Sequence, residues 1–180
     1  MQPAIIFDRD NTLTVDSGYT YQISAFQWMD GAITALQRFS AAGLPLFIIT
    51  NQSGIARGYF TIAEMQAFHH HLRAEAASAG IIFTDILYCP HHPDFPDPAL
   101  PEGCSCRKPA PGMLLELART HHIDLSGSVM IGDQKSDLDA GRAAGCHAYF
   151  NQDAAAGRPD IAAQADYILQ QHFADRLTEG

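Results

Sequence analysis

A chain of 180 residues with 47% hydrophobic content suits one globular domain with a sizeable core, expected over 1–180, and is cramped for two. Its net charge of −9 argues against nucleic acid or an anionic membrane as a partner. No apolar run approaches the length that crosses a bilayer, and Met1 leads almost directly into the first apolar stretch without a leader pattern. The expected address is therefore the cytoplasm, and the expected state a monomer.

In chain order, Ala4-Ile5-Ile6-Phe7 is too short for a helix and reads as a buried strand. Asp8-Arg9-Asp10-Asn11-Thr12 follows at once. Two carboxylates one residue apart at a strand end can bind a divalent cation and supply a nucleophile and an acid/base group. The plainer reading is a turn, which Asp and Asn favour. Asp30 to Ala42 then carries Ile33, Leu36 and Phe39 on one side of a helix that stops at Gly43.

Leu44 to Ile49 is the second strand. It opens into Thr50-Asn51-Gln52-Ser53-Gly54-Ile55-Ala56-Arg57-Gly58, a polar loop whose hydroxyl, amide and backbone N–H groups can hold phosphate oxygens. An ordinary strand-to-helix connection is the alternative. Thr61 and Glu64 form a capping box for a longer helix with Met65, Phe68, Leu72 and Ala76 on its apolar face. His69, His70 and His71 lie within it, where neighbours do not share a face, and are expected to be solvated.

The third strand, Ile86 to Tyr88, runs into Cys89-Pro90-His91, a further twelve residues, then Cys104-Ser105-Cys106 and Arg107-Lys108-Pro109. Seven of the ten prolines lie between Pro90 and Pro111, which excludes regular structure, so the loop needs a pin. Cys89, His91, Cys104 and Cys106 match a closed tetrahedral zinc site, structural because no coordination position is left open. Disulfides, disfavoured in the cytoplasm, and unrelated thiols are the alternatives. Cys146 reads as a small buried residue.

Gly112 to His121 is a further amphipathic helix. Ser128 to Ile131 is the fourth strand, followed by Gly132-Asp133-Gln134-Lys135-Ser136-Asp137, and Ala148 to Phe150 the fifth. The alanine-rich stretch from Ala140 to Ala165 is expected to form small helices. Strands apolar on both faces, alternating with helices, indicate an α/β, three-layer Rossmann-like fold with a mainly parallel sheet, whose ligands bind beyond the strand carboxyl ends.

The motifs Asp8 to Thr12, Thr50, Lys108 and Asp133 to Asp137 resemble, in order, those of the haloacid dehalogenase-like phosphatases. Cys-Pro-His with Cys-x-Cys-Arg-Lys-Pro is similar to the zinc-bearing branch of that family, whose members act on a heptose bisphosphate or on histidinol phosphate. The resemblance implies a Mg2+-dependent phosphatase with Asp8 as nucleophile, Asp10 as acid/base, and Thr50 and Lys108 on the phosphoryl group. It implies magnesium on Asp8, the Asp10 carbonyl and Asp133, with Asp137 in support. Asn11 stands where the family usually has glycine, and should take positive φ. Gln134 stands where relatives often carry a lysine, which puts a role for Lys135 in doubt.

Only 37 residues separate Thr12 from Thr50, which leaves no room for a separate cap domain. Asn51, Gln52, Ser53, Arg57 and Arg107 are the expected substrate contacts. Two arginines favour a small phosphorylated sugar with a second phosphate; histidinol phosphate would call on an acid such as Asp16. A non-catalytic zinc-stabilised interaction domain is the reading from a different class.

Overall fold

The computed structural model describes residues 1–97, 99 and 103–177. Five strands form one parallel sheet in the order β3-β2-β1-β4-β5: β1 Ile5–Phe7, β2 Leu46–Asn51, β3 Phe83–Cys89, β4 Val129–Gly132 and β5 His147–Phe150. The expectation of a mainly parallel sheet is met, and every pairing between these strands is parallel. β3 begins three residues earlier than its apolar run and ends one later, since the buried Phe83 and Cys89 pair with Leu46 and Asn51 of β2.

Alternation along each strand builds two cores. Ile5, Phe7 and Ile48 face α1 (Ala32–Ala41), α2 (Ile62–Ser78) and α5 (Ile161–His172). Ala4, Ile6, Phe47, Ile49 and Met130 face α3 (Gly112–His121) and α4 (Lys135–Ala143). The result is the expected three-layer sandwich. α2 opens on the Thr61–Glu64 capping box, which satisfies two otherwise unpaired N–H groups of its first turn. Among the described residues, no helix is long and apolar enough to cross a membrane.

The alanine-rich stretch is more than small helices: it holds the end of α4, all of β5 and the start of the twelve-residue α5. Strand order reverses direction at β1, with β2 on one side and β4 on the other. A crevice therefore opens beyond the carboxyl ends of β1 and β4, where crossovers lead away in opposite directions. Asp8 and Asp133 are the first residues past those two ends.

Candidate active site

Asp8 is held by its own N–H, which donates to Ile131 O at 2.8 Å, so β4 sets where the carboxylate emerges. The chain then turns sharply, with Asn11 at φ 55° as expected for a residue that tolerates the left-handed region. Asn11 Oδ1 accepts from the Asp16 N–H at 3.0 Å, and Asn11 O accepts from Asn151 Nδ2 at 2.8 Å. Asn151 comes just after β5, and its backbone N–H donates to Gly132 O at 2.9 Å. The strand-end rule points to Asn151 as readily as to the others, but a lone Asn carries no motif.

Three carboxylates meet at the crevice: Asp8, Asp133 and Asp137 offer oxygens within 4.8 Å of one another. Lys108 lies against two of them, with Nζ 2.5 Å from Asp8 Oδ1 and 2.7 Å from Asp137 Oδ1, and donates also to Ile49 O at 3.0 Å. Asp137 is fixed from its other oxygen, which accepts the Gln134 N–H at 2.9 Å at the start of α4. Gly132 makes this possible: a Cβ there would lie 2.3 Å from Asp137 Cβ. Burial pushes Asp8 up to about 7, with Lys108 pulling it down and Asp137 and Asp10 repelling its charge. Burial works against the Lys108 ammonium, but Asp8 and Asp137 outweigh it and hold its pKa above the usual lysine value. Asp133 is raised by burial as well. A cluster of hard oxygen donors whose charges are unbalanced by one ammonium suits a divalent cation.

Asp10 does not join that trio. Its carboxylate takes Arg9 Nε at 2.9 Å and Arg9 Nη2 at 3.1 Å, and Gln52 Nε2 at 2.8 Å. The same Gln52 nitrogen donates to Thr50 Oγ1 at 2.8 Å.

A cavity of about 260 Å³ is lined by Asp8, Asp10, Asn51, Gln52, Ser53, Lys108, Asp133 and Asp137, with Asp16, Gly18 and Tyr19 closing it from the loop after β1. Most of the expected site residues thus converge. Thr50 is fully buried behind Gln52 and does not line the cavity. Arg57 and Arg107 stand apart from it too. Arg57 pairs with His92 at 2.9 Å and lies over the Phe95 ring, while Arg107 donates to His91 O at 3.1 Å and borders a neighbouring cavity that shares Lys108 as a wall. Lys135 is 82% exposed and pairs with Asp139 along α4, outside the cavity.

The cysteine loop closes on the same ground. The last residue of β3, Cys89, pairs with Asn51 in the sheet, and Gln52 N–H donates to Cys89 O at 2.7 Å. Cys89 Sγ lies 3.5 Å from Cys104 Sγ, 2.9 Å from Cys106 Sγ and 3.5 Å from His91 Nδ1, which is 3.4 Å from Cys106 Sγ. All four cysteines are free thiols. Three sulfurs and one ring nitrogen converging in this way fit zinc, and Asp97 lies 3.8 Å from the outer His91 Nε2. Gly112 packs on the loop, its N–H donating to Ser105 O, where a Cβ would approach within 2.2 Å.

The histidines correct the sequence reading. His69 is 7% exposed and so not solvated, while His70 is exposed. Burial, then the Arg9 charge, lowers the His69 pKa to about 3. Arg9, 1% exposed, is the other residue whose role the motif did not reveal.

A parallel α/β sheet with an Asp-x-Asp turn at the switch point and a buried lysine between two aspartates defines a phosphoryl-transfer hydrolase of the haloacid dehalogenase class. The family model described as HAD-hydrolase-like matches residues 105–179. D-glycero-beta-D-manno-heptose-1,7-bisphosphate 7-phosphatase of Escherichia coli K12 is 42% identical over 142 residues, covering 79% of this chain and 74% of its own. The protein of that name from Pasteurella multocida is 43% identical, covering 80% and 78%. The crystal structure of D,D-heptose 1,7-bisphosphate phosphatase from B. bronchiseptica, complexed with magnesium and phosphate, superposes with a TM-score of 0.81 at 34% identity, covering 94% of this chain and 99% of that one. The chain belongs to the haloacid dehalogenase-like phosphatase family that these heptose bisphosphatases represent, and is a phosphoric monoester hydrolase.

Proposed function

We propose that this enzyme hydrolyses the 7-phosphate of D-glycero-D-manno-heptose 1,7-bisphosphate, leaving the anomeric phosphate in place for nucleotide-activated heptose synthesis toward lipopolysaccharide or surface glycans. The observation that carries the reading is Lys108 Nζ lodged between Asp8 and Asp137 beside Asp133. An Asp8 oxygen attacks phosphorus as the bond to the sugar oxygen breaks, and Asp10 delivers a proton to that oxygen. Water then attacks the aspartyl phosphate, gives its proton to Asp10, and phosphate leaves with Asp8 restored. Lys108 and the Asn51 to Ser53 turn hold the phosphoryl oxygens, where fixed donors match the spread charge of the transition state. Thr50, whose hydroxyl accepts from Gln52 Nε2 behind the cavity wall, is assigned the same task.

Magnesium would be held by Asp8, the Asp10 carbonyl and Asp133, and would offset the repulsion between carboxylate and phosphate. Zinc on Cys89, His91, Cys104 and Cys106 would fix the loop from which Arg107 and Lys108 emerge. Arg107, which lines the cavity on the other side of Lys108, and Arg57, which pairs with His92 in that cavity's wall, are assigned to the non-reacting phosphate. The reading includes a single domain over 1–180 working as a cytoplasmic monomer, without nucleic acid or membrane partners, which the net charge of −9 supports.

Phosphate release with magnesium, measured on wild type and Asp8→Asn, tests the chemistry: equal slow release by both would end it. Catalytic efficiencies on heptose 1,7-bisphosphate, fructose 1,6-bisphosphate and histidinol phosphate test the substrate. We expect the heptose compound to lead by at least about tenfold, roughly 1.4 kcal/mol. Comparable values on all three would remove the heptose assignment and leave the phosphatase.

A further inference from the structure

We infer that His69 is a positioning residue for Asp10, acting through the buried guanidinium of Arg9. The inference rests on the reading of Asp10 as the proton donor to the leaving sugar oxygen.

Asp10 is presented by a sharp turn, and its carboxylate is held by two side chains: Gln52 Nε2 donates to one oxygen, and Arg9 donates to both as a fork. A fork orients its partner only as well as it is itself held, and Arg9 is held on every side. Its Nη2 also donates to Thr20 O at 3.1 Å, its Cζ lies 4.7 Å from the centre of the Phe68 ring, and its Nη1 meets His69 Nε2 at 3.1 Å.

That last contact has one chemical solution. Arginine has no acceptor, so His69 Nε2 must bring a lone pair, and the ring must be neutral with its proton on Nδ1. α2 supplies both the ring beneath the guanidinium and the acceptor at its edge from adjacent buried residues, Phe68 and His69. The lowered pKa of His69 agrees with a ring kept neutral beside a cation. Removing the acceptor leaves a buried N–H of a charged group unpaired, and the fork is free to tilt toward another partner. Asp10 tilts with it.

The consequence is selective in kcat/KM, which reads the steps up to departure of the leaving group and not the later hydrolysis in which Asp10 takes the water proton. A sugar alkoxide leaves poorly and needs the Asp10 proton; 4-nitrophenolate leaves without one. A residue that positions the acid affects the first and spares the second, whereas one that merely stabilises the fold affects both alike.

The test compares kcat/KM for a sugar phosphate that the wild type hydrolyses with kcat/KM for 4-nitrophenyl phosphate, in His69→Leu, His69→Gln and Asp10→Asn. His69→Leu should lose about 10- to 100-fold on the sugar phosphate, the cost of a carboxylate misplaced by about 1 Å, and no more than about threefold on the aryl ester. His69→Gln, whose side-chain carbonyl can accept from Arg9, should recover most of the loss. Equal losses on both substrates, or none on either, overturn the proposal. Should His69→Leu fail to fold, the same ratio is read on His69→Asn, whose shorter amide falls short of Arg9, with the same two results expected and excluded. Asp10→Asn separates the two readings. If it shows no leaving-group dependence, the role of Asp10 fails; if it does and the His69 variants do not, the positioning role fails alone.

Discussion

Asn51 and Lys108 exchange a pair of hydrogen bonds across 57 positions of sequence: Asn51 Nδ2 donates to Lys108 O and Lys108 N–H donates to Asn51 Oδ1, each at 3.1 Å. Both polar groups of the amide are thus spent on the lysine's own backbone. Asn51, expected to meet substrate, lines the cavity while serving as the clamp that aims Lys108 at Asp8. Asn51→Ala should cut kcat about 10- to 100-fold, in keeping with a catalytic group displaced by about 1 Å. Zinc content should stay near one per chain, since the clamp lies outside the Cys/His set. Metal analysis and steady-state kinetics on one preparation check both.

The zinc set lies directly upstream of the same lysine. Cys106→Ser, or treatment with a strong chelator, should remove zinc, lower activity and open the loop between His91 and Cys104 to proteases, with α1 and α5 remaining resistant. Metal analysis before and after, together with limited proteolysis, follows each effect. Full activity in a zinc-free preparation would separate the loop from catalysis.

Gly132→Ala should harm activity and stability together. The added methyl would press on Asp137 at 2.3 Å, against a carboxylate pinned by the Gln134 N–H and Lys108. We expect a loss of about 1–3 kcal/mol in denaturant unfolding, typical of an overpacked core, and a fall in kcat from displacement of Lys108.

His69 gives a pH dependence of stability with a definite sign. Its folded pKa, about 3, lies below the 6.5 of the free side chain. The unfolded chain therefore takes up a proton that the folded one refuses, and stability is full above pH 6.5 and lost as pH falls toward 3. The slope is about 1.4 kcal/mol per pH unit in the middle of that window. His69→Gln should remove that component, so the stability difference between wild type and variant should move in favour of the variant as pH is lowered from 7 to 4. Parallel stability curves for the two proteins would show that His69 titrates normally.

What the sequence by itself determined was local in origin. Apolar runs bounded by polar turns located all five strands, the Thr61–Glu64 box located a helix start, and the cysteine spacing picked out four residues whose ligand atoms do converge. The positive φ of Asn11 was legible through the family resemblance, since it stands where relatives usually have glycine and asparagine tolerates that region. Tertiary structure alone decided which groups share a wall. Packing of α2 against β3 buried His69 and gave Arg9 its acceptor, and the register of Asn51 beside Cys89 brought the clamp within reach of Lys108. It also drew Arg57 and Arg107 against the cysteine loop and away from the aspartates. Spacing along a chain reports which residues can lie on one element. The orientation of a long, charged side chain is set by the nearest buried partner, and that partner comes from a segment tens of residues away.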